Sequence, residues 1–186
     1  MVVRRLLAAL ILAQLPLGAA AWEASDLTRL RTSLACTGCD LRGANLLRSD
    51  LRAATLSGSN LGGADLYYAI LIGADLTGAD LSGADLRGAN LFHARLDAAR
   101  LDGADLTGAN LAGASLAGAE ITGADLGGAN LFAADLQRAT IARSNLAQAS
   151  FRRATLGGAR IEAGALDAAL LCRTLMPDGR HEDRNC

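Results

Sequence analysis

The sequence predicts an all-β solenoid, a slender rod of stacked coils with a short helix at its start. Three observations predict it. A large apolar residue recurs at every fifth position from Leu41 to Leu171, giving 27 consecutive units in one register. A small residue stands two positions before each of them. The chain reaches 51% hydrophobic content with only 3% aromatics, so its apolar mass comes from Leu and Ala. A period of five is neither the 3.6 of a helix nor the 2.0 of a strand, and 21 glycines argue against a long regular helix.

The first segment, 1–21, reads as a signal peptide. Arg4 and Arg5 form a basic start, Leu6 to Leu17 an apolar stretch containing Pro16, and Ala19 to Ala21 a small-residue cleavage site before Trp22. The apolar stretch is too short to span a bilayer, so no stable membrane span is expected after cleavage. The mature chain is expected in the periplasm or the extracellular space, or in the thylakoid lumen of a photosynthetic organism. Cleavage leaves 16 Arg against 19 acidic residues, a net charge of −3. That balance does not suit nucleic-acid binding.

Segment 22–35 follows as a capping helix. Ser25 is placed to cap it, Asp26 suits its positive end, and Leu27, Leu30 and Leu34 share one face. It reads as a lid over the first coil, covering an edge that would otherwise pair with other chains.

Segment 36–171 is the solenoid. The central residue is Leu except for Ile121, Ile141, Ile161 and Phe151. The small residue is Ala in most units, Ser at 49, 59 and 144, Cys39 in the first and Gly164 near the end. Asp or Asn most often separates the two, so the unit is A(D/N)LxG. Two inward positions in five require a corner every five residues, and four corners close a square coil of 20. Coils stacked at the ~4.8 Å interstrand spacing give about seven coils and a rod ~32 Å long. Gly at the last position, as at Gly78, Gly83 and Gly88, suits the tight corner.

The tail, 172–186, closes the other end, with a turn at Pro177, Asp178 and Gly179. Four cysteines in an exported chain suggest two disulfides. Cys36 and Cys39 lie ~30 Å along the rod from Cys172, too far for a bond that needs Cα atoms within about 7 Å. The pairings that remain are Cys172 with Cys186, and Cys36 with Cys39. For the second pair, two unbonded core thiols are the alternative reading. A redox CxxC normally opens a helix, which this one does not. A zinc site on Cys172, His181 and Cys186 lacks a fourth ligand.

These in-register units resemble the pentapeptide-repeat family over residues 36–171. The CTGCDL segment at 36–41 and the tail CRTLMPDGRHEDRNC resemble terminal modules of exported members. The resemblance implies a right-handed quadrilateral β-helix.

Residues 20 apart stack on one face, so outward chemistry can be read directly. Ile70, Ile72, Phe92 and Phe132 form a broken apolar stripe, a candidate interaction face for a protein partner. His93 is its neighbour. Asp65, Asp85, Asp105 and Asp125 form a candidate acidic ladder that a cation or Arg87 could relieve. A solid interior with only two histidines offers no pocket and no catalytic constellation. No cofactor or metal is expected. The reading is therefore a non-enzymatic exported rod for structure or protein interaction, its oligomeric state open. The alternative, implied by resemblance, is a DNA mimic acting on a type II topoisomerase.

Overall fold

The computed structural model describes residues 24–186. The expected signal peptide at 1–21, with Arg4, Arg5 and the cleavage site before Trp22, lies outside the described residues. Helix α1 (Ala24–Ser33) comes first. Ser25 stands inside its first turn rather than before it, so it is not the cap. Asp26 anchors that turn instead. Its carboxylate accepts the Asp40 N–H at 2.9 Å and pairs with Arg29 one turn on. Leu27 and Leu30 are buried against the first coil, and Leu34 is partly buried there. The helix stops at Leu34, whose left-handed backbone (φ 55°) still lets its N–H reach the Leu30 carbonyl.

From residue 35 onward each unit turns once and pairs in parallel with the unit 20 residues later, as Asp65 does with Asp85 and Asp85 with Asp105. Four five-residue units therefore make one circuit. The unit Asp85–Ala89 shows where its backbone donors go. The Asp85 N–H donates back to Ala64, while the Leu86 and Gly88 N–H groups donate forward to Asp105 and Thr107. The Ala89 N–H closes the turn on Leu86, and the Arg87 N–H takes the Asp85 side chain. All five are satisfied, as a buried backbone requires. The Asp or Asn of the unit is thus a turn residue that hydrogen-bonds two positions on.

Leu and Ala of the repeat fill the interior almost without exposure, and Phe151 replaces a Leu while staying fully buried. Each buried Leu contributes about 2 kcal/mol. Ser59 and Thr174 are buried hydroxyls at the small position, and half-buried Ser144 is a third. Each donates to the carbonyl 23 residues earlier, on Cys36, Phe151 and Ile121 respectively. Each also accepts a backbone N–H, which keeps a polar atom in the column satisfied.

Where the central residue is Ile, the corner opens into short strands. β1 (Glu120–Thr122), β2 (Thr140–Ala142) and β3 (Arg160–Ile161) stack as one parallel sheet. β-Branched Ile favours extended backbone, and at Ile121 the Ser144 hydroxyl takes the carbonyl that a closed turn would use. The corner position has positive φ in every unit from Gly38 to Gly158, usually at Gly. In residues 136–155 it is held by Arg138, Arg143, Gln148 and Arg153, with φ from 54° to 61°. A side chain there costs roughly 1 kcal/mol each.

The repeat loosens near its end. Gly164, expected to point inward, is exposed, and Ile161 is only half-buried. Turns closed by Ala165 N–H on Glu162 and Asp167 N–H on Gly164 replace the regular corner. An absent side chain leaves nothing to pull this backbone inward. Beyond it, β4 (Thr174–Leu175) and β5 (His181–Glu182) pair antiparallel and cover the last coil. Leu175 and Pro177 accept the forward N–H groups of Leu156 and Gly158. Two disulfides stand at the two ends, Cys36–Cys39 beneath α1 and Cys172–Cys186 across the tail.

Two outcomes follow for stability. Gly113 and Gly103 have nearly equal positive φ, but a Cβ on Gly113 would meet the His93 ring at 2.5 Å while one on Gly103 meets nothing. In denaturant titration, Gly103→Ala should cost about 1 kcal/mol and Gly113→Ala more, with His93→Ala removing the excess. Replacing Cys172 and Cys186 by Ala should lower stability by about 3 kcal/mol, the chain-entropy value for a 15-residue loop. Proteolysis should then begin in the tail.

Candidate interaction face

The column that carries the predicted stripe is laid out by backbone bonds. Gly73 donates to the Phe92 carbonyl, His93 to Ala112, Gly113 to Phe132 and Ala133 to Arg152, each at 2.8–3.0 Å. Side chains one position after the central Leu therefore stand above one another. Phe92 and Phe132 are the exposed members, at 40% and 41%. Ile70 and Ile72 are half-buried at the near end of the stripe. Ala112 lies between the two phenylalanines and is only 8% exposed.

The His93 ring meets Phe92 edge-on at 4.2 Å, folds over Gly113 and brings Nδ1 within 3.2 Å of the Gly113 carbonyl. At the other end the Arg153 guanidinium lies 5.8 Å from the Phe132 ring centroid. Beside the aromatics runs a ladder invisible to hydropathy. Asn110 Nδ2 donates to Asn90 Oδ1 at 3.1 Å, and Asn130 Nδ2 to Asn110 Oδ1 at 3.2 Å. Its signal in the sequence is the tripeptide series Asn-Leu-Phe, Asn-Leu-Ala, Asn-Leu-Phe at 90–92, 110–112 and 130–132. Two further exposed apolar residues, Leu47 and Tyr68, lie outside the predicted stripe. Tyr68 has a positive φ, and its ring rests over Gly88.

The acidic ladder is engaged by the chain itself. Asp65, Asp85, Asp105 and Asp125 each accept the N–H two residues on. Arg87 makes a two-toothed contact with Asp85, reaches Asp105 at 3.6 Å and lies over the Tyr67 ring. Asn145 Nδ2 donates to Asp125. The side-chain hydrogen bond from Arg87 holds the Asp85 carboxyl below its ordinary range, and Asp85 in turn raises the Arg87 guanidinium. The repulsion expected within the column is thus offset by turn donors and by one arginine.

A depression of about 680 Å³ lies at the tail between Ile161, Met176, Pro177 and His181. Among the described residues no cluster of three metal-binding side chains occurs, and no helix is long and apolar enough to cross a membrane.

A family model described as pentapeptide repeats matches in eight copies, over residues 35–71, 59–97, 69–108, 94–131 and 129–163. Among solved structures, the chain is similar to HetL, a pentapeptide repeat protein involved in heterocyst differentiation regulation in the cyanobacterium Nostoc sp. strain PCC 7120. Identity is 33% over 80% of this chain and 87% of that one, with a TM-score of 0.39. A pentapeptide repeat protein of the Arabidopsis thaliana thylakoid lumen is 33% identical over 60% of this chain and 68% of its own, with a TM-score of 0.23. QnrB1, a plasmid-mediated fluoroquinolone resistance protein, is 20% identical over 81% and 77%, with a TM-score of 0.42. No curated protein sequence matches the chain.

The lowered carboxyls set a pH dependence. Asp40, Asp50 and Asp85 are each held down chiefly by the side-chain hydrogen bond of the arginine two residues on. A carboxyl lowered on folding contributes stability that is full above its unfolded value near 4 and is lost as pH falls through the folded one. Acid titration followed by circular dichroism should therefore show stability flat near neutrality and falling below about pH 4. Arg87→Gln should make that fall shallower.

Proposed function

The chain belongs to the pentapeptide-repeat family, and on that premise we propose that it is an exported, non-enzymatic rod of about seven square, right-handed coils. Its task is to dock a protein partner on the face that carries Phe92 and Phe132. The observation that carries this reading is the exposure of those two rings in one column of the surface. Aromatic residues in such a setting are the usual anchors of protein interfaces.

Two disulfides support export to an oxidising compartment, the periplasm or the extracellular space. The filled interior supports a binding rather than a catalytic role, since the core column leaves no enclosed pocket in which a reaction could be shielded from water. Action as a DNA mimic is less well supported. A mimic needs unbroken acidic tracks, whereas Arg95 and Arg100 interrupt the columns of Asp75 and Asp80 and pair with them, and Arg87 pairs with Asp85 in the ladder.

Cross-linking the exported protein in its native envelope tests the reading. Phe92→Ser with Phe132→Ser should leave the circular dichroism spectrum unchanged. Loss of two anchors, at about 2 kcal/mol or more each, should remove the partner adduct. An adduct of undiminished yield would eliminate this face, and recovery of the mature protein from the cytoplasm would reverse the assignment to export.

A further inference from the structure

The two disulfides stand in opposite surroundings. Cys172–Cys186 ties down the tail, and the charged group beside it is the Asp183 carboxylate, 3.8 Å from Cys186 Sγ. A negative neighbour disfavours a thiolate there. Cys36–Cys39 spans a single turn, three residues apart in sequence. The next coil already pins that turn: the Cys36 N–H donates to Thr55 at 2.7 Å, the Gly38 N–H to Ser57 at 2.9 Å and the Cys39 N–H to the Ser59 hydroxyl at 3.2 Å. So short a loop constrains the unfolded chain less than the long loop of the tail does. As thiols, the two cysteines would still fill their inward positions as small apolar residues. The turn therefore does not depend on the bond.

What lies over the pair is α1. Arg29 Nη2 stands 3.1 Å from Cys39 Sγ, and Cys36 Sγ stands 3.3 Å from the Asp26 carbonyl oxygen. Neither contact suits a disulfide, whose sulfurs carry no charge and no proton. Both suit the reduced pair, since a guanidinium stabilises a thiolate on Cys39 and a carbonyl accepts the S–H of Cys36. The same Arg29 nitrogen pairs with the Asp26 carboxylate, which fixes its place over the sulfur. Cys36 and Cys39 are fully buried, so a reagent reaches them only when α1 moves. A ten-residue helix is marginal in water by itself. It stays down through Leu27, Leu30 and the bond from the Asp40 N–H to Asp26, and it joins the first coil through the left-handed Leu34.

We propose that Cys36–Cys39 is a redox-active disulfide under a helical lid hinged at Leu34, exchanging electrons with the dithiol of a thiol–disulfide oxidoreductase, while Cys172–Cys186 is purely structural. With α1 lifted, a thiolate of the partner attacks Cys36 Sγ, the bond to Cys39 breaks, and Cys39 leaves as a thiolate. The partner's second thiolate then attacks its own sulfur in the mixed disulfide and releases Cys36. Two electrons have passed to the cysteine pair and the partner holds the new disulfide. Of the two protons its thiols gave up, one ends on Cys36 and the other in solvent. When α1 closes, Arg29 meets the Cys39 thiolate and Cys36 donates to Asp26. Opening of the lid thus sets the rate, and its closing contacts pull the equilibrium towards the dithiol.

The mature protein, brought to equilibrium from both directions in graded mixtures of reduced and oxidised dithiothreitol, tests this. Acid quenching, alkylation in denaturant and peptide mass mapping read each cysteine pair separately. The equilibrium constant for reduction of Cys36–Cys39 should exceed that of Cys172–Cys186 by about tenfold or more, about 30 mV for a two-electron couple. Arg29→Gln should lower it about tenfold, the scale of one charge-assisted hydrogen bond, and leave Cys172–Cys186 unmoved. Arg29→Lys keeps the charge and should restore most of the loss. Leu27→Ala keeps Arg29 and loosens α1, so exchange at Cys36–Cys39 should be faster. Reduction of Cys172–Cys186 in the same or a milder mixture would overturn the proposal, as would an Arg29→Gln equilibrium equal to that of the unaltered protein. An unchanged exchange rate in Leu27→Ala would overturn the role of α1 as a lid.

Discussion

The width of the interior governs this molecule. One Leu and one small residue per corner fill the cross-section, and nothing larger than Phe151 enters it. Close packing of that pair fixes the period at five, the period forces a turn in every unit, and the turn demands a residue that accepts positive φ. Composition follows from geometry: few aromatics, abundant Ala and Gly, and polar residues mostly at three positions in five. Backbone pairing does the rest. Parallel bonds to the coils above and below, with the Asp or Asn side chain closing the local turn, leave no donor of a regular unit without an acceptor.

Such a core tolerates polarity only where an acceptor is waiting. Ser59, Ser144 and Thr174 occupy the small position because each hydroxyl bridges a carbonyl and an N–H of adjoining backbone. Tyr68 and His93 occupy the corner for a comparable reason. Their rings fold over Gly88 and Gly113 one coil on, using space that a Cβ there would remove. Among the arginines at the corners of residues 136–155, Arg138 lies over Gly158 one coil on, and the Arg143 N–H donates to the Glu162 carboxylate.

Much of this was legible in the sequence because the repeat ties every residue to a position. Inward Leu and Ala, the positive-φ corner and the outward Phe92 and Phe132 all follow from counting by five. What counting missed depends on contacts across coils. Ser25 was read as a cap from its type, yet the carboxylate of Asp26 is what ties the helix down, through an N–H 14 residues away. Gly164 obeys the register and still leaves the core, since register is enforced by side-chain packing and glycine supplies none. The Asn ladder was hidden for a further reason: its residues are ordinary members of the consensus, and only their stacking at 90, 110 and 130 makes them a feature.

Four units to a circuit give the rod an angular phase. Insertion or loss of one whole unit would preserve the buried column and every turn, yet it would rotate everything beyond that point by a quarter of a revolution. Phe132 would then leave the column in which Phe92 stands. Length can therefore drift in quanta of five without harm to stability, while any surface that spans several coils is kept aligned only by quanta of twenty.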